Sequence, residues 1–440
     1  MKHVVVFAFV FLVAMGGFSY GVAVGLYRIW PYQQIGLVKD EARFILSDLT
    51  RGLDRQIVTS ATAHSSDGEL IDLGSDQGGG SRPTIWQSRP SNGLTAVMGS
   101  FDTGEFHHAI LLLGPNGELV HRWRVSETSV DAPELRSSLH KYPHGLAILS
   151  DGSVLVNFDG GVSLQRLDAC GSQIWVTPGK YHHLMSVDEG TESVWTLINK
   201  NPVAGAGSDV AQRRGIQKIS ISDGSIEMEF TMRDIIDANP DLDVLGIRQL
   251  EEAHSDYVWD LDPIHDNDVE PLPAAYATRF PMFSPGDLLI SLRSLNAVIV
   301  VDPASLEIKW FTIGWMRRQH DPDWEPNGTI SVFDNNMHRG ISRILSFDPS
   351  NYGPPSVILD GQEFGFYTWI RGNHQQMADG SILVTSSQEG RIFEVDNDGN
   401  VVFEFINAFG DTGNERLTLS NAIRLPIDYF HKGAFDKCGE

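Results

Sequence analysis

Residues 143–175 read PHGLAILSDGSVLVNFDGGVSLQRLDACGSQIW. Short runs of largely apolar residues alternate in this stretch with turn signals at Asp151-Gly152, Gly160-Gly161 and Asp168. Runs of four to eight residues bounded by such turns are typical of antiparallel strands. The stretch therefore predicts four consecutive strands, the last of which ends in an aromatic residue, Trp175.

The same order of strands and turns recurs, with variations, six times after about residue 93. The units cover residues 107–123, 143–175, 182–230, 265–310, 320–336 and 374–405. Five outer strands end near an aromatic side chain that could pack between neighbouring sheets: Trp123, Trp175, Phe230, Trp310 and Phe403. Repeats of about 35–55 residues with four strands each are typical of propeller blades. We therefore predict an all-β fold, a six-bladed β-propeller over 93–440; an open β-solenoid would need a shorter, stricter period.

The amino terminus has a different pattern. No charged residue occurs from Val4 to Tyr27, and at about 1.5 Å per residue this apolar run can span a bilayer core of about 30 Å. We predict a signal anchor, a transmembrane helix at residues 1–30, with cleavage near Gly25 as the alternative. Because Lys2 precedes the run, the rest of the chain is expected in the periplasm, attached to the inner membrane. Glycines at positions 17, 21 and 25 could let two such helices pair, which would make a homodimer.

Two segments separate this anchor from the repeats. Residues 31–58 carry apolar side chains at helical spacing, which predicts a short juxtamembrane helix: Leu37, Ala42, Ile45, Leu46, Leu49 and Leu53. Residues 59–92 are polar and glycine-rich, with QGGGSRP near their end, and are predicted to form a linker.

Charge and cysteine content narrow the classes of function. The formal net charge of −24 argues against nucleic acid as a partner, because phosphate binding needs a surplus of lysine and arginine. The negative net charge does not exclude a small anionic substrate, because such a substrate could bind in a local basic cluster. The two cysteines, Cys170 and Cys438, have no CxxC spacing, so a thiolate zinc site is not expected. Outside the cytoplasm they could form a disulfide; two unrelated thiols are the alternative.

The histidines share a position in the repeats. His144, His182 and His320 each precede the turn glycine of their unit by eight residues, and His265 opens the corresponding strand of the fourth unit. Because the first strand of every blade lines the channel of a propeller, a shared register directs these imidazoles towards one axial cavity. Each could instead be a structural histidine, and the PHG context of His144 also suits a tight turn. The shared register favours a site.

An arginine accompanies the histidines. Arg293 follows an apolar strand in LISLRSLNAV, so plain exposure is less expected than burial. Its forked guanidinium suits a tetrahedral oxyanion. The alternative is a surface arginine paired with a carboxylate.

The motifs HHLMSV, PIHDN, ISLRSLNAV, QHDPDWEPNGTISVFDN and GRIFEVDNDGNVVFEF resemble those of the bacterial arylsulfotransferases. The resemblance implies nucleotide-independent sulfuryl transfer from an aryl sulfate ester to a phenol through a sulfohistidine, with no cofactor and no metal. It matches His320 to the sulfated histidine, Arg293 to the arginine that grips the sulfate, and His265 with Asn267 to an H-x-N pair.

The resemblance also matches His182 to the remaining histidine of the site. His183 is the competing assignment, since neighbouring residues in a strand face opposite ways. A further lysine contact of the family finds no match, and His374 in the last unit matches no motif. A non-catalytic periplasmic propeller, as a binding or scaffold module, and an aryl sulfate hydrolase are the alternative functions.

Overall fold

The computed structural model describes residues 69–72, 81–101, 108–128, 130, 141–188, 190–200, 210–242, 264–409 and 415–438, together with four residues near the amino terminus. The chain divides into two units, 1–54 and 55–440. In the first, Met15, Gly17, Ser19 and Tyr20 are described, and all are helical. The rest of the predicted anchor and the whole juxtamembrane helix lie outside the described residues. No described helix has the length and apolar character needed to cross a membrane.

Six antiparallel sheets form the second unit, so the predicted six-bladed propeller is confirmed. Four of them have four consecutive strands each, which follow one another from the channel outwards. Blade 2 has β6 (Tyr142–Ile148), β7 (Val154–Asp159), β8 (Ser163–Leu167) and β9 (Gln173–Pro178); blade 3 has β10 (Lys180–Asp188), β11 (Ser193–Asn199), β12 (Arg214–Ser220) and β13 (Ile226–Thr231). Blade 4 has β14 (Asp266–Pro271), β15 (Leu288–Leu292), β16 (Ala297–Val301) and β17 (Ile308–Ile313); blade 5 has β18 (His320–Trp324), β19 (Ile330–Asp334), β20 (Arg343–Phe347) and β21 (Ser356–Asp360).

The ring closes through the carboxyl-terminal strand. In blade 1, β27 (Leu419–Leu425) is the innermost strand and pairs with β3 (Leu94–Ser100), which is followed by β4 (His108–Leu113) and β5 (Leu119–Val125). Short helices connect other strands: α1 (Val210–Arg213), α2 (Met232–Ala238), α3 (Gly361–Phe364), and 3-10 turns at Ala277–Arg279, Arg293–Leu295 and Ser387–Glu389. The strand β27, from the carboxyl-terminal part of the chain, thus completes the sheet formed by β3, β4 and β5.

Blade 6 has more strands than the repeat pattern predicts. Its own strands are β22 (Asn373–Gln376), β23 (Ile382–Ser386), β24 (Arg391–Val395) and β25 (Val401–Phe409), with β26 (Glu415–Arg416) beside β25. Outside them lie β2 (Ser81–Gln87) and β1 (Glu69–Asp72). Here the prediction that 59–92 is only a linker differs from the structure. β2 pairs along most of β25, and its Ile85 and Trp86 are buried. This strand is short and follows a glycine run, so its pattern is not evident in the sequence.

Apolar side chains fill the spaces between neighbouring blades. The described residues form six hydrophobic clusters, which bring together strands of adjacent blades. The five aromatic residues predicted to pack between sheets are all buried in these clusters: Trp123, Trp175, Phe230, Trp310 and Phe403. Trp123 also donates its indole N–H to the carbonyl of Gly152, in the first turn of the next blade, at 3.0 Å.

A disulfide fastens the carboxyl-terminal segment to blade 2. Cys170 and Cys438 are bonded, with their Cα atoms 5.0 Å apart. Between β27 and this bond, Phe435 stacks on His121 with a ring-centroid distance of 4.2 Å. The disulfide alternative from the sequence is therefore confirmed.

Candidate active site

The innermost strands of blades 2 to 5 share an irregularity. The pairing register shifts between Pro143 and Leu146 in β6, His182 and Met185 in β10, Asp266 and Asp268 in β14, and His320 and Pro322 in β18. A β-bulge leaves a residue unpaired, bends the strand and redirects side chains. The shared histidine register of the sequence therefore coincides with a shared backbone distortion.

Several residues at or beside these bulges have left-handed backbone conformations. The φ angles of His183, His265, Asp321 and Arg371 are 59°, 48°, 52° and 60°. Such conformations cost non-glycine residues about 1–3 kcal/mol each, and they persist where the surrounding structure fixes them. Their concentration around one end of the channel marks this end as a candidate site.

Five imidazoles meet there, with His183 at their centre. The ring centroid of His183 lies 4.5 Å from that of His144, 5.0 Å from those of His182 and His265, and 6.2 Å from that of His320. Blades 2, 3, 4 and 5 all contribute to this group, which we call the histidine cluster: His144, His182, His183, His265 and His320. The structure thus brings together all five histidines that the sequence placed at the site.

Both neighbouring histidines of β10 belong to the cluster. The expectation that His182 and His183 face opposite ways is wrong, because the bulge between His182 and Met185 interrupts the alternation. Their Nδ1 atoms lie 2.8 Å apart. A guanidinium group can only donate, and Arg214 Nη1 lies 3.5 Å from His182 Nε2. Neutral His182 therefore carries its hydrogen on Nδ1 and donates it to His183, whose own hydrogen is left on Nε2.

The tautomer of His320 is fixed by Asn335, at the end of β19. The amide nitrogen of Asn335 donates to the carbonyls of Thr368 and Arg371 at 2.8 and 2.6 Å. Its amide oxygen therefore faces His320 and accepts from Nδ1 at 2.6 Å. The lone pair of His320 is then on Nε2, which accepts the backbone N–H of Arg371 at 3.2 Å.

Burial favours the neutral form of four of the five imidazoles. It is the largest cause that lowers the pKa values of four imidazoles well below the ordinary value: His144, His182, His183 and His320. A neighbouring guanidinium is the next cause for three of these pKa values. Arg371 acts on His144, Arg214 on His182 and Arg293 on His320.

The three arginines reach the cluster from different blades. Arg293 is half-buried, and its backbone N–H donates to His265 O at 3.0 Å. Arg371 is 9% exposed; its guanidinium lies over the Tyr142 ring at 5.4 Å and 3.4 Å from Asp159. Arg214 is similarly buried beside Asp266, at 3.5 Å. Guanidinium groups and neutral N–H donors together suit a small oxyanion.

Asn267, which the sequence pairs with His265, lies next to the backbone that leads into His320. It is fully buried, and its amide nitrogen donates to the carbonyl of Gln319 at 2.7 Å. This contact holds the backbone next to His320. His374, which matched no motif, lies beside Asp321, outside the histidine cluster.

Three residues of the site were not singled out from the sequence. Arg371 stands in RGNH directly before the first strand of the last unit, close to the position at which other units carry histidine, and this was the available signal. Arg214 opens an outer strand, and Asn335 follows one. The positions of Arg214 and Asn335 in the sequence do not indicate that either residue lies near the channel.

Comparisons with known proteins show the family to which the chain belongs. A family model described as arylsulfotransferase (ASST) matches residues 145–408, more than half of the chain. No curated protein matches the chain.

Among solved structures, the chain is similar to a protein of unknown function from Bacteroides caccae, at 10% identity over 76% of this chain and 98% of that one, with a TM-score of 0.47. It is similar to a chain of a nidogen/laminin complex at 10% identity, with coverages of 75% and 98% and a TM-score of 0.41. For a streptogramin B lyase the identity is 11%, the coverages are 77% and 87%, and the TM-score is 0.41.

The family match includes four of the five clustered histidines, the three arginines and Asn335. The domain supports sulfuryl transfer in general as the reaction class. This chain belongs to the arylsulfotransferase family.

Proposed function

We propose that the protein transfers a sulfuryl group from an aryl sulfate ester to a phenol through a sulfohistidine at His320. The observation that supports this most strongly is the histidine cluster with its three arginines, in a chain whose net charge is −24. Although the net charge of the chain is strongly negative, three guanidinium groups lie near the neutral imidazoles of this site. That arrangement favours an anionic ligand and leaves a nitrogen lone pair available as a nucleophile.

In the first half-reaction, Nε2 of neutral His320 attacks the sulfur atom. The S–N bond forms as the bond between sulfur and the aryl oxygen breaks, and the electron pair of that bond leaves on the phenolate. The hydrogen bond from Arg371 N–H to Nε2 must open for this attack. Positive charge then develops on the imidazole ring, and Asn335 Oδ1 stabilises it by accepting from Nδ1–H.

The arginines act on the sulfuryl oxygens. By analogy with phosphoryl transfer, the transition state spreads negative charge over three equatorial oxygens, so positioning and charge neutralisation supply most of the catalysis. Arg293 and Arg371 are our candidates for these contacts, because each lies beside an imidazole of the cluster. The N–H of His183 Nε2 is a further donor from the centre of the cluster.

A protonated imidazole supplies the proton that the leaving phenolate needs. We assign this role to His265, since burial lowers the pKa of His182 and keeps that ring neutral. In the second half-reaction the incoming phenol returns its proton to His265. The phenolate oxygen attacks sulfur, the S–N bond breaks, and neutral His320 is regenerated.

Steady-state kinetics test this scheme. A covalent intermediate predicts ping-pong behaviour, in which kcat/KM for the aryl sulfate does not depend on the phenol concentration. Replacing His320 with Ala should abolish release of the donor phenol. A non-catalytic propeller would bind aryl sulfates without turnover in both proteins, and a hydrolase would release phenol and sulfate at a rate independent of the acceptor.

We also propose that the propeller operates in the periplasm, tethered to the inner membrane by residues 1–30. The Cys170–Cys438 disulfide supports this location, because such bonds persist mainly in oxidising compartments. Fractionation of cells after osmotic shock, with alkylation of free thiols, provides the test. Cytoplasmic protein with two alkylated cysteines would contradict the proposal.

A further inference from the structure

A cavity lined by both polar and apolar side chains lies further along the inner strands. It has a volume of about 520 Å³ and is lined by residues that follow the histidines in their strands, such as 146–148 of β6 and 184–187 of β10. Blades 4, 5 and 6 contribute most of its polar side chains. It is therefore a separate part of the channel from the histidine cluster.

Five carboxyl groups line this cavity: Asp268, Glu270, Asp321, Asp323 and Glu325. No lysine or arginine is found among the described residues that line it. Asp268, Asp321 and Glu325 are only 3%, 6% and 5% exposed. Buried carboxylates need a partner of opposite charge, because burial away from water penalises the charged form.

His374 holds two of these groups in place. Its Nδ1 lies 2.8 Å from Asp321 Oδ2 and 3.6 Å from Asp323 Oδ2, while its Nε2 lies 2.8 Å from Ser331 Oγ. Ligand atoms of Asp321, Asp323 and His374 all lie within 4.8 Å of one another. Because both ring nitrogens are already hydrogen-bonded, His374 acts as an orienting partner. The carboxylate oxygens of Asp321 and Asp323 are therefore the atoms available as metal ligands.

An amide oxygen in the same cavity is also unsatisfied. Asn373 lines the cavity, is 4% exposed, and its Oδ1 has no hydrogen-bond partner among the described residues. A buried polar atom without a partner costs roughly 1–3 kcal/mol, and an amide oxygen is a ligand that hard divalent cations accept. This observation points to a missing partner that accepts oxygen ligands.

We propose that this cavity is a binding site for one hard divalent cation, in the first place Ca²⁺, held by oxygens of Asp321 and Asp323, with Asp268, Glu270 and Asn373, which line the same cavity, completing the set. Ligand sets made of carboxylate and amide oxygens suit Ca²⁺. The ligands come from β14, β18 and β22, so the ion would join blades 4, 5 and 6. It would also stabilise β18, the strand that carries His320.

Calcium binding to the full-length protein, after EDTA treatment and removal of the chelator, tests the proposal. Isothermal titration with CaCl₂ should show one ion per chain, and the melting temperature should rise by on the order of 5 °C at saturating Ca²⁺. Asp268→Asn and Asp323→Asn should each weaken binding about 10-fold or more. Glu389→Gln is the matched control: Glu389 is a buried acid with a raised pKa that bonds Ser386 and does not line the cavity, so its replacement should leave Ca²⁺ binding unchanged.

A second measurement covers the case in which a variant folds poorly. In EDTA, Asp268→Asn and Asp323→Asn should melt at or above the temperature of the wild type, since each replaces one of five neighbouring acidic groups in the cavity with a neutral amide. Lower melting temperatures in EDTA would overturn the proposal. So would the absence of any Ca²⁺ effect at millimolar concentration, or Ca²⁺ binding that survives both substitutions. Binding of Zn²⁺ alone, lost in His374→Gln, would overturn the assignment to a hard cation.

Discussion

Asn335 accepts a hydrogen bond from Nδ1 of His320 at 2.6 Å, with its amide orientation fixed by two backbone carbonyls. The contact links the end of β19 to the first residue of β18 and to the connection that enters blade 6. It also decides which nitrogen of His320 bears the lone pair. The proposed nucleophile is therefore prepared by a residue that reaches it from the next strand.

We expect Asn335→Ala to lower kcat by roughly 10²-fold while KM for the aryl sulfate changes little. Without the amide oxygen, His320 can adopt the other tautomer and its imidazolium loses an acceptor. Steady-state kinetics measure the split between kcat and KM. Asn397→Ala, which alters an exposed turn of blade 6, is the control; an unchanged kcat in Asn335→Ala would show that the contact is only structural.

The arginines provide a second prediction. Arg293→Lys and Arg371→Lys should each lower kcat/KM for the aryl sulfate by about 10- to 100-fold, about 1.4–2.8 kcal/mol of transition-state free energy. Lysine keeps the charge but loses the forked geometry that holds two oxygens. Arg166→Lys, in β8 of blade 2 beside Asp151, should have no effect. Equal activity of all three variants would remove Arg293 and Arg371 from the sulfate contact.

Stability should depend on pH through His183. Its pKa in the folded protein is lowered well below 6.5 by burial, and next by the neighbouring His144, His182, His265 and His320. Below pH 6.5 the unfolded chain therefore takes up a proton that the folded protein does not. The contribution of neutral His183 to the free energy of unfolding is fully present above pH 6.5. It is lost at about 1.4 kcal/mol per pH unit as the pH falls below this value.

Urea unfolding at pH 7.5 and 5.5 measures this loss in the wild type and in His183→Gln. The buried acids of the channel have raised pKa values and act in the opposite direction, because they favour the folded state at low pH. Since they are present in both proteins, they cancel in the comparison. The wild type should lose about 1.4 kcal/mol more than His183→Gln; an identical loss would mean that His183 is not a neutral buried ring.

The disulfide gives a prediction about stability alone. The Cys170–Cys438 bond joins residues 268 apart in sequence, so it restricts the unfolded chain strongly. We expect Cys438→Ser to lower the free energy of unfolding by about 2–5 kcal/mol. Wild-type protein in dithiothreitol should unfold like the variant. If reduction leaves the unfolding transition where it was, the bond does not contribute.

Much of the fold follows from local signals in the sequence. Asp-Gly turns, alternating strands and the aromatic residues Trp123 and Trp175 indicate blades, because each is a short-range feature with a direct structural cause. The strand β2 had no such signal, since its pairing partner β25 lies far away at the other end of the sequence. Ring closure by β27 is a long-range pairing of the same kind.

The site was only partly predictable for a related reason. Register places His144, His182, His265 and His320 at equivalent positions, and the structure brings these residues together. The bulge that turns His183 inwards cannot be inferred from residue spacing, because regular alternation predicts the opposite orientation. Arg214 lies on β12 of blade 3, two strands away from His182, and the strand pairing that brings the two residues together is not visible in their spacing along the sequence.

The most direct test of the proposed mechanism is the identity of the sulfated atom. The protein is mixed with an aryl [³⁵S]sulfate in the absence of a phenol acceptor, digested at alkaline pH and analysed by mass spectrometry. We expect one labelled peptide that carries the sulfuryl group on His320, rapid loss of the label when a phenol is added, and no label in His320→Ala. A labelled His320→Ala protein, or turnover by the wild type with no label on His320, would contradict the mechanism.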